Sequence, residues 1–213
     1  MIIMKVRIST LEAMLGTASN NKELHADFIA SHAPDAKSRE EEIEALGVEE
    51  VVEKAMTVFP RNKEGKPIMW DYQIKGFFKD ACGSLRKIKG TESSKIKAYK
   101  KEIDGLIFVD EREILIQTDE PIRSCQRPLR AATPQGERIS LANSEEIAAG
   151  AILEFPIRVM ADDLAPAVKE WLSYGKLRGL GQWRNSGKGR FSCTILEQEK
   201  ISVADMLEPC AEA

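Results

Sequence analysis

Histidine is almost missing from this chain: 213 residues contain two, His25 and His32. The four cysteines, Cys82, Cys125, Cys193 and Cys210, form no CxxC pair. A structural zinc site needs about four Cys or His ligands at close spacing, so no metal or other cofactor is expected. The thiols read as free groups in a reducing cytosol. No apolar run reaches the roughly 20 residues that span a bilayer, which excludes a membrane partner. The opening MIIMKVRIST is charged too early for a secretory signal. The expected location is therefore cytoplasmic. GxxxxGK[ST], HExxH and a Ser-His-Asp set are all lacking. Basic excess is lacking too, with a net charge of −3 and a pI of about 5.6. That sum counts against a polyanion partner, but the acid is local. Arg39 to Lys54 holds seven glutamates, the pattern of a solvated helical face. The remainder of the chain is net basic.

What is present reads as one domain over 1–199 with a tail over 200–213. Ile2, Met4, Val6 and Ile8 alternate with Lys5 and Arg7, a period of two that predicts a first strand over Ile2–Thr10. An irregular helical insertion follows over about 22–56. Thr57 to Pro60, the turn from Arg61 to Pro67, and Ile68 to Tyr72 suggest a hairpin. Phe77, Phe78, Ala81, Cys82 and Leu85 recur at helical spacing within Gly76–Arg86. Strands are expected over 103–109, 113–117, 151–160 and 191–196, and a loop over 121–143. Leu164, Val168, Trp171, Leu172 and Gly175 share one face of a helix over 164–177. This order fits an α+β fold, a ferredoxin-like (RRM-like) antiparallel sheet with helices, expanded by a helical insertion after the first strand.

The most informative segment runs from Arg178 to Phe191. Gly179, Gly181, Gly187 and Gly189 alternate with Arg178, Arg184, Lys188 and Arg190, with no acid in fourteen positions. Glycine permits positive φ and close approach of another backbone. Exposed N–H groups beside Arg and Lys make an anion-binding concavity, and Trp183 can stack on a base. A second basic stretch, Lys75 to Lys101, carries nine Lys or Arg against two acids. Its bland alternative is an ordinary solvated surface. Arg123, Arg127, Arg130 and Arg138 follow. Convergence of these segments would make a track for phosphates. Trp70, Tyr72 and Tyr99 are nearby aromatics, read first as core packing.

Gly179-Leu180-Gly181 followed by Gly187-Lys188-Gly189-Arg190-Phe191, after a helix and before a last strand, resembles the C-terminal glycine-rich loop of the RAMP superfamily. Ile74 to Arg86 resembles the strand-to-helix segment of CRISPR backbone subunits in that family, with Gly76, Lys79 and Arg86 at the Gly, Lys and Arg positions. Glu146 to Phe155 resembles the stretch that precedes a core strand there. The matches cover about a fifth of the chain. Lys75-Gly76-Phe77-Phe78 departs from Pro-Gly-Ser-Ser, and 22–56 matches nothing in the family, which suggests a standalone, phage-borne homologue. The resemblance implies a non-catalytic protein that binds single-stranded nucleic acid, RNA before DNA, with assembly as an oligomer along the strand or within a protein complex among the modes it allows. The site residues would be Lys75, Lys79, Arg86, Arg127, Arg130, Arg178, Gly179, Gly181, Trp183, Arg184, Gly187, Lys188, Gly189 and Arg190. Two alternatives stay open. One is a phage counter-defence protein that mimics a CRISPR subunit or sequesters a nucleotide signal. The other is a metal-independent RNase using His25 or His32, but neither lies in a family motif. The loop Leu15 to Asn21 also lacks the Asp that some relatives use to cut RNA.

Overall fold

Alternation in the first ten residues does produce a strand, β1 (Ile2–Thr10), with Met4, Val6 and Ile8 buried and Lys5 and Arg7 exposed. The computed structural model describes residues 1–20, 56–133 and 136–203, with side chains for all of these except 129–141. The expected insertion (Met56 apart), both histidines and Cys210 lie outside the described residues. β1 is central in a four-stranded antiparallel sheet. It pairs on one side with β10 (Ile152–Val159) and on the other with β11 (Phe191–Lys200). The short β6 (Ile107–Val109) adds to the far edge of β10, giving the order β11-β1-β10-β6.

Two helices cover one face of that sheet. Helix α1 (Asp71–Leu85) turns Ile74, Phe77, Phe78, Ala81 and Cys82 inward. Helix α3 (Ala165–Arg178) does the same with Val168, Trp171, Leu172 and Gly175. Phe78 meets Trp171 at 5.6 Å between centroids, and Phe77 meets Phe191 edge-on at 5.2 Å. Gly175 is required by contact: a Cβ there would sit 2.2 Å from the Phe191 ring. Burial of these side chains from two helices and three strands is the dominant stabilising term. The chain order around this core is strand, helix, strand, strand, helix, strand, an α+β architecture.

The remaining strands form a five-stranded and a two-stranded sheet. β8 (Arg123–Thr133) and β9 (Gly136–Ile147) pair antiparallel from Arg123↔Glu146 to Thr133↔Gly136. The edge of β9 also receives β2 (Met14–Leu15) and β4 (Thr57–Val58), and β3 (Ala18–Ser19) pairs with β4. The expected loop over 121–143 is therefore a long hairpin. Its polar, arginine-rich strands lack the one-sided apolar alternation that marks a half-buried strand, so the pairing is carried by backbone hydrogen bonds. β5 (Ile68–Trp70) pairs with β7 (Glu113–Leu115), and the expected hairpin closes only next to its turn, through the Arg61↔Pro67 bridge and the Ile68 amide donating to the Pro60 carbonyl at 2.9 Å. The turn itself does form: the Asn62 side chain accepts from the Glu64 and Lys66 amides at 3.0 and 2.9 Å. The strand expected over 103–109 is only β6; helix α2 (Tyr99–Leu106) precedes it, with Ile103 buried.

Cys193 on β11 is partly enclosed, and burial pushes its thiol up to about 11. The folded state keeps this proton while the unfolded chain releases it near 9. Stability from this group is intact below pH 9 and lost as pH rises toward 11. Denaturant unfolding between pH 8 and about 11 should show a steeper decline for the native sequence than for Cys193→Ala. Parallel declines would contradict the assignment.

Candidate nucleic-acid interface

Helix α3 ends where Gly179 takes φ 76°, and the loop that follows folds back on itself. The Leu180 amide donates to the Gly189 carbonyl at 2.9 Å, and the Gly189 amide donates to the Ala13 carbonyl at 2.8 Å. Leu11 donates to the Arg190 carbonyl at 2.7 Å. The loop is thus sewn to the segment that leaves β1, with Leu180 buried as its plug. Three glycines are explained by backbone contact, Gly179 among them, where a Cβ would lie 2.6 Å from the Gly189 carbonyl carbon. A Cβ at Gly189 would lie 1.8 Å from the Leu180 carbonyl oxygen, and one at Gly181 would lie 2.6 Å from that of Leu15. The close approach anticipated from the sequence is therefore made by this chain's own backbone.

The tip of the loop is a short 3-10 turn, Arg184–Ser186, entered through Trp183 at φ 54°, ψ 32°. Among the described residues Trp183 is the one non-glycine with positive φ. A bulky side chain in this region costs about 1–2 kcal/mol, so surrounding contacts must impose the conformation. They are visible. The Arg127 guanidinium of β8 lies 5.2 Å from the Trp183 ring centroid, and its Nη1 donates to Ser186 Oγ at 2.9 Å. Ser186 Oγ in turn donates to the Trp183 carbonyl at 2.8 Å. On the other side, Arg178 Nε and Arg184 Nη1 both donate to Asp80 Oδ2 of α1, at 2.7 and 2.8 Å. Arg178 also donates to Asn185 Oδ1 at 2.7 Å. One carboxylate holding two guanidiniums leaves net positive charge beside the ring. Arg127, Arg178, Trp183 and Arg184 together wall an open groove of about 670 Å³.

The remaining expected residues divide. Lys188 pairs with Glu146 of β9 at 2.5 Å, and Arg190 with Glu12 at 3.2 Å. Gly187, φ 85°, packs against the Arg190 guanidinium. Lys75, Lys79 and Arg86 do not join the groove. Lys75 reaches the Asp104 carbonyl at 3.1 Å and lies 5.1 Å from the Phe108 ring centroid. Lys79 pairs with Asp104 at 2.6 Å, and Arg86 sits over Tyr99 at 5.1 Å. These three cations therefore meet α2 and β6 and not Asp80, because residues 79 and 80 are turned about 100° apart on a helix. Arg130 lies on β8 opposite Ile139, within the stretch whose side chains are not described. Asp80 is the residue that sequence reasoning missed: it counted there only as an acid in a basic run. No local pattern marks an aspartate whose partners lie 98 and 104 residues away.

Nor does the exposed face of the four-stranded sheet offer an array of stacking rings. Arg7 pairs with Glu154 at 2.6 Å and Arg158 with Asp110 at 2.9 Å. Phe108 is the one aromatic that its strands turn outward, exposed, with the Lys75 ammonium 5.1 Å from its ring centroid. RNA recognition on a sheet face uses several such rings. Beside the groove, burial and the Glu146 carboxylate push the Cys125 thiol up, which disfavours the nucleophilic thiolate. Among the described residues, no group of three His, Cys, Asp or Glu side chains is placed to hold a metal ion. Among the same residues, no helix is long and apolar enough to cross a membrane.

Fold and site together define an α+β protein with an arginine- and tryptophan-lined groove beside a self-clasped glycine loop. No family model and no curated protein matches the chain. Among solved structures it is similar to a chain in the cryo-EM structure of the Type III-B Cmr-beta bound to cognate target RNA, with a TM-score of 0.56 and 14% identity. The match covers 93% of this chain and 61% of that one, so this chain spans about three-fifths of its neighbour's length. At this identity the likeness is one of fold.

Proposed function

We propose that this protein binds single-stranded nucleic acid, RNA in preference to DNA, without cutting it, and that its core is the ferredoxin-like fold of the RAMP superfamily. The observation that carries the reading is Trp183. Its backbone is held in a strained conformation that sets the ring in the groove wall under Arg127, with Arg178 and Arg184 alongside. A ring that takes a base and guanidiniums that take phosphates are the two components of sequence-indifferent strand binding. The RNA named for the Cmr-beta structure supports RNA as the ligand. The strand order β11-β1-β10-β6 supports the ferredoxin-like assignment, since the first strand lies between the last and the third of the core. Binding along a strand by several copies, or within a protein complex, is part of the same proposal.

The test is affinity against salt for a labelled oligouridylate, its DNA counterpart and a duplex. About three phosphate contacts predict a slope of log K against log salt near −2 for the single strand. No binding at low salt overturns the reading. Incubation of the RNA with EDTA present should leave it intact; cleavage that follows the protein through purification would reject non-catalytic binding.

A further inference from the structure

We infer that Trp70 and Tyr72, at the junction of β5 and α1, form a second base-stacking subsite for the same strand. The inference rests on the strand-binding reading above and extends it to a site that the glycine loop does not include. The two rings are nearly parallel, 13° apart, with centroids at 6.4 Å. Tyr72 is 57% exposed, so core packing is not its role. An exposed Tyr72 ring backed by the partly buried, parallel Trp70 ring is an apolar platform on which a base gains contact area that water cannot supply. Its charge setting fits a phosphodiester. The Arg112 side chain is 75% exposed, and its nearest carboxylate, Asp71, is 3.6 Å away, beyond the 2.7–2.9 Å of a firm charge-assisted bond. That guanidinium is available for a phosphate beside the rings.

A path joins the two aromatic sites. The depression bordered by Trp70, Tyr72 and Arg112 shares Thr17 and Gln73 with a narrower one over α1. The narrower one shares Gly181 and Arg184 with the Trp183 groove. Gly76 borders this middle passage. It lies inside α1, where glycine weakens a helix relative to alanine. No described atom lies within 4 Å of the place a Cβ would occupy, so internal packing does not demand glycine there. A residue without a side chain keeps the passage open for a strand backbone. The entry to α1 is itself fixed: the Trp70 amide donates to Gln73 Oε1 at 2.8 Å, and Gln73 Nε2 donates to Thr17 Oγ1 at 2.6 Å. The platform is therefore held in place before any ligand arrives.

The chain has three tryptophans, and Trp171 is fully buried, so quenching on titration reports Trp70 and Trp183. Oligouridylate should quench both, and Trp70→Phe should remove part of the quench while anisotropy still shows binding. Tyr72→Ala should weaken oligouridylate binding about tenfold and leave a strand of abasic residues bound as by the native protein. Tyr72→Phe, which keeps the ring, should restore the affinity. Quenching undiminished in Trp70→Phe, with Tyr72→Ala binding as the native protein does, overturns the subsite and leaves strand binding at Trp183 standing. Failure of the native protein to bind any strand at low salt overturns both.

Discussion

Gly189→Ala should be the most damaging single substitution in the loop, lowering stability by about 2–5 kcal/mol and abolishing strand binding. Two separate terms make up the loss. Residue 189 has φ +70°, a region where a Cβ costs about 1–2 kcal/mol by itself. The same Cβ would sit 1.8 Å from the Leu180 carbonyl oxygen, so the two crossing backbones must separate. Separation lengthens the Leu180 to Gly189 hydrogen bond and lifts Leu180 out of the core. Gly65→Ala is the internal control. Gly65 has φ +78° but no described atom within 4 Å of its Cβ position, so it should cost only about 1–2 kcal/mol. Urea unfolding of the two variants measures the difference. Equal losses would mean that the backbone crossing contributes nothing.

The second large effect separates geometry from net charge. Replacing Arg127, Arg178 and Arg184 together by Ala should weaken oligouridylate binding about 100-fold at roughly 50 mM salt. Replacing Lys75, Lys79 and Arg86 together removes the same charge, yet should change affinity by less than about threefold. The first set walls the Trp183 groove; the second is engaged with Asp104, Phe108 and Tyr99 on the other side of α1. Pairs such as Lys79–Asp104 contribute little to stability, and urea unfolding of both triple variants checks that the loss of the Asp80 pairs leaves the first folded as well. Equal weakening by the two triple variants would return the proposal to the single track of converging basic segments that the sequence suggests.

That contrast shows where local reading ends. β1 was legible because one face of the strand is buried and the other wet, and period two survives in the residues. α1 and α3 were legible because their apolar residues fall on one helical stripe. The hairpin over 123–147 was not: Arg127 and its neighbours carry no apolar alternation. Nor was the α2 helix, where Ile103 and Leu106 look like a β-branched and aliphatic run until Tyr99 and Ile103 are seen to share a helical face. The glycines of the loop were recognised as sites of positive φ and close approach. What approaches them, the chain's own backbone, depends on residues 13, 15 and 180 meeting in space.

The sequence by itself determined the α+β order of elements, the buried faces of β1, α1 and α3, and the glycine loop between α3 and β11. These are set by short-range periodicity and by backbone conformations that only glycine adopts readily. Tertiary structure alone decided which cations share a surface. Lys79 and Asp80 are adjacent in the chain but point to different neighbours, and Asp80 gathers Arg178 and Arg184 from the far end of the fold. Such contacts span about a hundred residues and leave no periodic trace, because each depends on how two packed helices and a hairpin are set against one another.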